Sequence, residues 1–157
     1  MKFLFILNLL VISLSFCESG HIHSHKHNNE LGFAVGVVPG HDNEENNIGL
    51  HLHYIKGVGD HNDFGIGISL ETIFDEHAHN SISIIGTYHF NNGFTVAYAP
   101  GILFSEHDDE KETIFTQHFE FYYEFELNQF HLGPQIDFGF EKDEIHYMLG
   151  LHFGIDI

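Results

Sequence analysis

Histidine is the residue that first demands a chemical explanation. The chain holds 16 histidines and 23 acidic residues against 5 lysines, a net charge of -18 with the imidazoles neutral. Near the start, His21, His23, His25 and His27 alternate within a polar stretch, 20–30, that has no apolar periodicity. Four imidazoles on a flexible segment can wrap a metal ion, and His-rich tracts are a metal-binding composition. The same tract reads equally as a solvated tail that takes up metal incidentally. Further along, period-two counting puts His51, His53, His89, His118, His131, His146 and His152 on one inward face with Glu71, Glu120, Glu124, Glu126, Asp137 and Asp156. Imidazole combined with carboxylate suits zinc, and also copper, nickel or iron. The charge excludes nucleic acid as a partner, because phosphates demand cations, and it disfavours docking onto an anionic membrane surface.

The elements that must position these groups begin after an export signal. Lys2 precedes a mostly apolar run from Phe3 to Phe16, broken by Asn8, Ser13 and Ser15. A bilayer-spanning helix needs about 20 apolar residues, so a cleaved signal over 1–17 fits better than an anchor. Cleavage after Cys17 would leave small residues, Ser15 and Cys17, at the two recognition positions. The alternative is a lipoprotein signal with Cys17 lipidated. About 140 residues remain, enough for one domain, and Cys17 is the only cysteine, so no disulfide framework holds it.

From Leu31 onward the apolar pattern has period two rather than 3.6. It predicts eight strands, 31–39, 48–56, 64–74, 81–90, 94–104, 113–127, 130–140 and 145–157, with 18–30 as a His-rich flexible periplasmic tail. Connections at 40–47, 75–80, 105–112 and 141–144 are acidic, while those at 57–63, 91–93 and 128–129 are less so. Such an asymmetry between outer loops and inner turns is a feature of outer-membrane barrels. One face of the last strand carries Ile145, Tyr147, Leu149, Leu151, Phe153, Ile155 and Ile157; the other carries His146, Met148, Gly150, His152, Gly154 and Asp156. Glycines fall almost entirely on the polar face, which suits a cramped interior, since an eight-stranded barrel leaves room only for side chains. Phe64 and Phe74, Phe94 and Phe104, Phe115 and Phe125, and Phe130 and Phe140 are each ten positions apart on the apolar face. At a tilt of about 40°, ten residues climb roughly 25 Å, the height of a lipid-facing band between two aromatic girdles. The expectation is therefore all-β: a closed up-and-down antiparallel eight-stranded outer-membrane β-barrel with outer-membrane lipid around it.

This pattern resembles the small eight-stranded outer-membrane proteins of Gram-negative bacteria. The stretches Gly49-Leu50-His51-Leu52-His53-Tyr54, Phe74-Asp75-Glu76-His77-Ala78-His79-Asn80 and Phe130-His131-Leu132-Gly133-Pro134 are similar to a His-rich group among them. The resemblance covers the mature chain, implies the fold and a place in the cell outer membrane, and brings no activity or ligand with it. One departure is Ile157 at the end, where such barrels commonly carry an aromatic; Phe153 is the nearest.

Register narrows the chemistry. A two-residue turn at Asn128-Gln129 sets Leu127 opposite Phe130, hence Glu126 opposite His131 and Glu120 opposite Asp137. Facing carboxylates repel unless a proton or cation lies between them. If Phe140 pairs with Ile145, His118 and His146 flank Gly139, and His118, Glu120, Asp137 and His146 form a candidate metal cluster. The interior has no lysine or arginine, so histidine, a metal ion or retained protons must answer its acids. Two readings stay open: a proton-sharing polar network that fixes the interior, or a site for zinc or another divalent transition metal. At the level of function these become a metal-handling barrel and a structural or interaction protein whose acidic loops meet a partner. His77, His79, His107, Asp108 and Asp109 could add weak sites outside. No catalytic constellation is legible, and the nucleophile-elbow and phosphate-loop motifs are absent from the sequence.

Overall fold

Alternation of β-branched and aromatic residues with small or polar ones commits the chain to strands with two unlike faces. The computed structural model describes residues 28–40, 45–59, 62–75, 79–107, 110–142 and 144–157. Eight strands run antiparallel through them: Asn29–Val38, Asn47–Val58, Phe64–Phe74, His79–His89, Phe94–His107, a sixth in two stretches (Glu110–Tyr123 and Phe125–Leu127), Phe130–Phe140 and Ile145–Asp156. Each pairs with its neighbours in sequence, and the first pairs with the last from Glu30 opposite Asp156 to Val37 opposite Leu149. That last ladder closes the sheet into an up-and-down barrel. The expected signal over 1–17 and the histidines His21, His23, His25 and His27 lie outside the described residues.

The turns set the register as expected. Asn128 adopts a left-handed φ of 65° in the turn joining Leu127 to Phe130, and Gly93 takes 81° in the turn before the fifth strand. Phe140 pairs with Ile145 across the last connection.

Several boundaries differ from expectation. The first strand starts at Asn29, so Asn29 and Glu30 belong to the barrel and not to the tail. The acidic connection expected at 105–112 is mostly ladder, with Ser105 opposite Glu112 and Glu106 opposite Lys111. The sixth strand breaks at Glu124, yet its register is unshifted, because Tyr122 faces Gln135 and Phe125 faces Leu132. Gly133 lies across from this break and Pro134, which has no N–H to give a ladder, faces the preceding Tyr123, while the Glu124 N–H donates to the Gly93 carbonyl at 2.8 Å.

Outward positions carry Leu, Ile, Val, Phe and Tyr along every strand; Phe64, Phe74, Ile84 and Phe115 leave between 59 and 62 % of their surface uncovered. A continuous apolar surface of this extent would aggregate in water and is a lipid-facing band. Inward positions hold Glu30, His51, His53, Glu71, His118, Glu120, His131, Asp137 and His152, all buried. The inside is less uniformly polar than expected. Ile55, Ile85, Ala97, Ala99 and Tyr122 form one apolar cluster, and Ala34, Val38, Ile73 and Met148 another. Glu126, expected inside, is exposed at the rim, where the wall past the break no longer encloses it.

Candidate metal centre

The interior histidines owe their positions to small neighbours. His53 stands opposite Gly32, His131 opposite Gly154, and Gly139 lies between His118 and His146. His51 and His152 both face Ala34, and His152 also faces Gly133. A Cβ added at Gly32, Gly139 or Gly154 would overlap the ring of His53, His146 or His131. Close-packed interiors admit no such overlap without displacement. Glycine therefore lets the imidazoles lie across the barrel wall.

Toward the end that bears the acidic connections, His118 Nδ1 lies 3.0 Å from Asp137 Oδ2 and 3.1 Å from Glu71 Oε2. His146 Nε2 is 3.9 Å from the other Glu71 oxygen, and its Nδ1 is 3.4 Å from Glu141. Glu71, His118 and His146 thus offer three donors within 4.8 Å of one another. Of the four clustered residues expected from sequence, His118 and Asp137 meet directly, while His146 joins them through Glu71. Glu120 faces Asp137 in register but turns elsewhere. It accepts a hydrogen bond from Gln135 Nε2 at 3.0 Å and lies 3.7 Å from His51 Nε2. Glu71 was visible as an inward residue, but the connection expected at 57–63 left its register open, so its role was not.

Toward the end where the barrel strands begin and finish, a second group gathers on one oxygen. Glu30 Oε1 lies 2.9 Å from His53 Nε2, 3.4 Å from His131 Nε2 and 3.5 Å from His152 Nε2. His53 and His152 stack with their Nε2 atoms 3.4 Å apart. Glu124 lies 3.4 Å from His131 through one oxygen and accepts from Thr95 Oγ1 at 2.7 Å through the other. Sequence reasoning missed this group. Glu30 continues the inward series of Gly32, Ala34 and Gly36 backward by one step, a signal that was legible. The pairing of Phe140 with Ile145 likewise implies that His131 and His152 enter side by side.

Donor spacing decides what the groups can hold. With bonds of 2.0–2.1 Å to nitrogen, tetrahedral zinc requires ligand atoms about 3.3 Å apart. The triangle of Glu30 Oε1, His53 Nε2 and His152 Nε2, with edges of 2.9, 3.5 and 3.4 Å, matches that spacing, whereas the outer distances of 3.1 and 3.9 Å run to different oxygens of Glu71 and are less regular. Among the described residues, His53 joins two such donor sets, one with Glu30 and His152 and one with His51 and Glu120. Outside the barrel, His79 pairs with Asp75. His77, Asp108 and Asp109 lie outside the described residues.

No family model and no curated protein matches the sequence. Solved structures do. The N-terminal β-barrel domain of Pseudomonas aeruginosa OprF is similar with a TM-score of 0.56 at 17% identity, over 83% of this chain and 98% of that one. Neisserial surface protein A gives 0.55 at 8% identity, over 82% and 96%. The Yersinia pestis outer membrane protein Ail gives 0.51 at 13% identity, over 81% and 99%. The fold is that of a small outer-membrane β-barrel. At these identities the likeness speaks for the fold and not for a ligand. The apolar band of this barrel is the surface such a fold presents to outer-membrane lipid.

Proposed function

We propose that this outer-membrane barrel binds divalent transition metal ions in its interior, with Glu30, His53, His131 and His152 as the inner ligands and Glu71, His118 and His146 as the outer ones. One observation carries the reading: Glu30 Oε1 and the Nε2 atoms of His53 and His152 form a triangle of 2.9, 3.5 and 3.4 Å, which is tetrahedral spacing, and His131 Nε2 approaches the same oxygen at 3.4 Å. Asp137 faces the same His118 Nδ1 as Glu71, at 3.0 and 3.1 Å, and so adds a further carboxylate to the outer group. Buried ion pairs seldom stabilise a fold beyond what apolar packing would achieve. An interior so dense in acids and imidazoles therefore points to a task beyond stability. The reading includes an export signal over 1–17 and a periplasmic His-rich segment that ends at residue 28, whose His21, His23, His25 and His27 gather the ion near the inner group. No enzymatic step is part of it.

A second reading has an observation of its own. Thr95, Thr116 and Gln135 already hydrogen-bond Glu124, His118 and Glu120, as members of a purely structural network would. Metal analysis of the protein purified in mild detergent separates the two. The metal reading expects zinc, copper or nickel in stoichiometric amounts, retained when 20–28 are deleted and lost in a His53→Ala, His152→Ala double variant that still folds. Calorimetry showing no tight binding of any of these ions would leave the structural network.

A further inference from the structure

The donor groups are not isolated from one another. Glu71, beside His118 in the outer group, is 4.0 Å from His51 Nδ1, and His51 Nε2 is 3.7 Å from Glu120. The rings of His51 and His53 are 5.3 Å apart, and His53 Nε2 reaches Glu30 at 2.9 Å. His131 then connects Glu30 to Glu124, and Glu124 lies 3.7 Å from His89 at the far rim. Donor sets overlap along this line. His53 belongs both to the set with His51 and Glu120 and to the set with Glu30 and His152. His152 in turn belongs to a further set with Glu124 and His131.

We propose that the interior is a passage as well as a binding site, in which a divalent transition metal ion crosses the barrel from one donor set to the next, across the 4.0 Å between Glu71 and His51 and then through the shared imidazoles of His53 and His152. This deepens the metal-binding reading and rests on it. An imidazole carries two nitrogens on different edges of its ring, so an ion can leave one set and enter the next while one residue stays engaged. His51 fits the role of link. It is 1 % exposed, and neither ring nitrogen makes a hydrogen bond. Burying an imidazole with both nitrogens unsatisfied is costly unless something else engages them. The Nδ1 atoms of His53 and His152 also lack hydrogen bonds, while their Nε2 atoms face Glu30. Both ends of the line reach solvent. The side chains of His146 and Glu141 are 13 % and 10 % exposed at a small pocket on the acidic side, and that of His89 is 16 % exposed on the other.

The packing also sets selectivity. Apolar clusters around Ile55 and Tyr122, and around Val38 and Met148, share the interior with the donors. An ion must therefore shed water and take protein ligands to pass. Zinc and its neighbours exchange water for imidazole readily, whereas magnesium and calcium keep oxygen ligands. The path therefore discriminates by chemistry rather than by width.

The test uses the full mature chain in phosphatidylcholine vesicles loaded with a zinc-sensitive dye, with bound zinc measured on the same preparation. The wild type should admit zinc well above protein-free vesicles and should not admit calcium. His51→Gln preserves size and polarity but is a poor ligand. It should retain zinc at the inner group while zinc entry slows roughly tenfold or more, the scale on which one supporting contact changes metal affinity. Glu120→Gln serves as a second link variant should the first fail to fold. Bound zinc without entry in the wild type would overturn the passage and leave the binding. Calcium entry equal to zinc entry would also overturn it, since that describes a water-filled pore. Link variants that pass zinc at the wild-type rate would do the same. A wild type that holds no zinc would overturn both proposals.

Discussion

At the scale of the residue, the rule that organises this interior is a pairing: each of the six central histidines stands beside a glycine or alanine on an adjoining strand. On the sixth strand, His118 and Glu120 likewise face Ala99 and Ala97. A large side chain and a small one share a level, which is how a narrow barrel fills without overlap. The consequence is measurable. Gly154→Ala would drive a methyl group into the His131 ring, and overpacking of this kind costs roughly 1–3 kcal/mol. Gly86→Ala is the control, since its nearest neighbours are carbonyl oxygens 4.0 Å away on the outward face. Urea unfolding in detergent should separate the two, with Gly86→Ala unchanged or slightly more stable. The small-residue half of this rule was legible, because period-two counting puts the glycines on the polar face. The meeting of His118 and His146 at Gly139 was legible too, from the connections after Leu127 and Phe140, whereas that of His53 with Gly32 was not, since it depends on register across the long connection expected at 40–47, which no turn type fixes.

At the scale of the element, the tight turn at Asn128 was the most informative stretch of sequence. It fixed the facing of Glu120 with Asp137 and of Tyr122 with Gln135, both found in the ladder. Asn128 holds a left-handed φ of 65°, which asparagine tolerates and β-branched residues do not. Asn128→Val should therefore cost about 1–2 kcal/mol, while Asn128→Gly should be neutral. The check is unfolding free energy for both variants, and equal losses would mean that the turn backbone does not set the hairpin. The strand ends were the least legible part. Polar Asn29 and Glu30 look like tail by composition, yet Glu30 is drawn in by His53, His131 and His152, partners brought by three other strands. Similarly, Ser105 to Glu112 reads as loop from its acids, but an exposed ladder beyond the lipid band tolerates charge. The break at Glu124 could not be seen locally, because Gly133 and Pro134, which face Glu124 and Tyr123, sit on another strand.

At the scale of the whole molecule, charge is distributed by region: uncharged apolar surface around the wall, acids and imidazoles inside, and the lysines Lys56, Lys111 and Lys142 on exposed strand ends and connections. Among the described residues no lysine or arginine lies inside, so the proposed dication would add positive charge that the interior acids otherwise meet only in histidine. Ligand binding to the folded state stabilises it by mass action, by about 2.7 kcal/mol when free ligand is a hundredfold above Kd. Unfolding in detergent should therefore shift to higher denaturant with zinc and lower with chelator. A midpoint indifferent to both would argue for the purely structural network.

The close approach of the Tyr122 ring to that of His152 has an optical consequence. The chain has no tryptophan and six tyrosines. Of these, Tyr54, Tyr88, Tyr98 and Tyr147 are exposed on the outward face, and Tyr122 is the buried one, with its ring centre 4.4 Å from that of His152. Native ultraviolet emission thus comes from phenols alone, and a single emitter sits within touching distance of the inner donors. Copper(II) arriving at His152 should quench that fraction of the emission, while diamagnetic zinc should alter it without extinguishing it. Tyr122→Phe should abolish the response and leave the remaining emission in place. If quenching persists in that variant, copper is being read at the rim and not at the inner group.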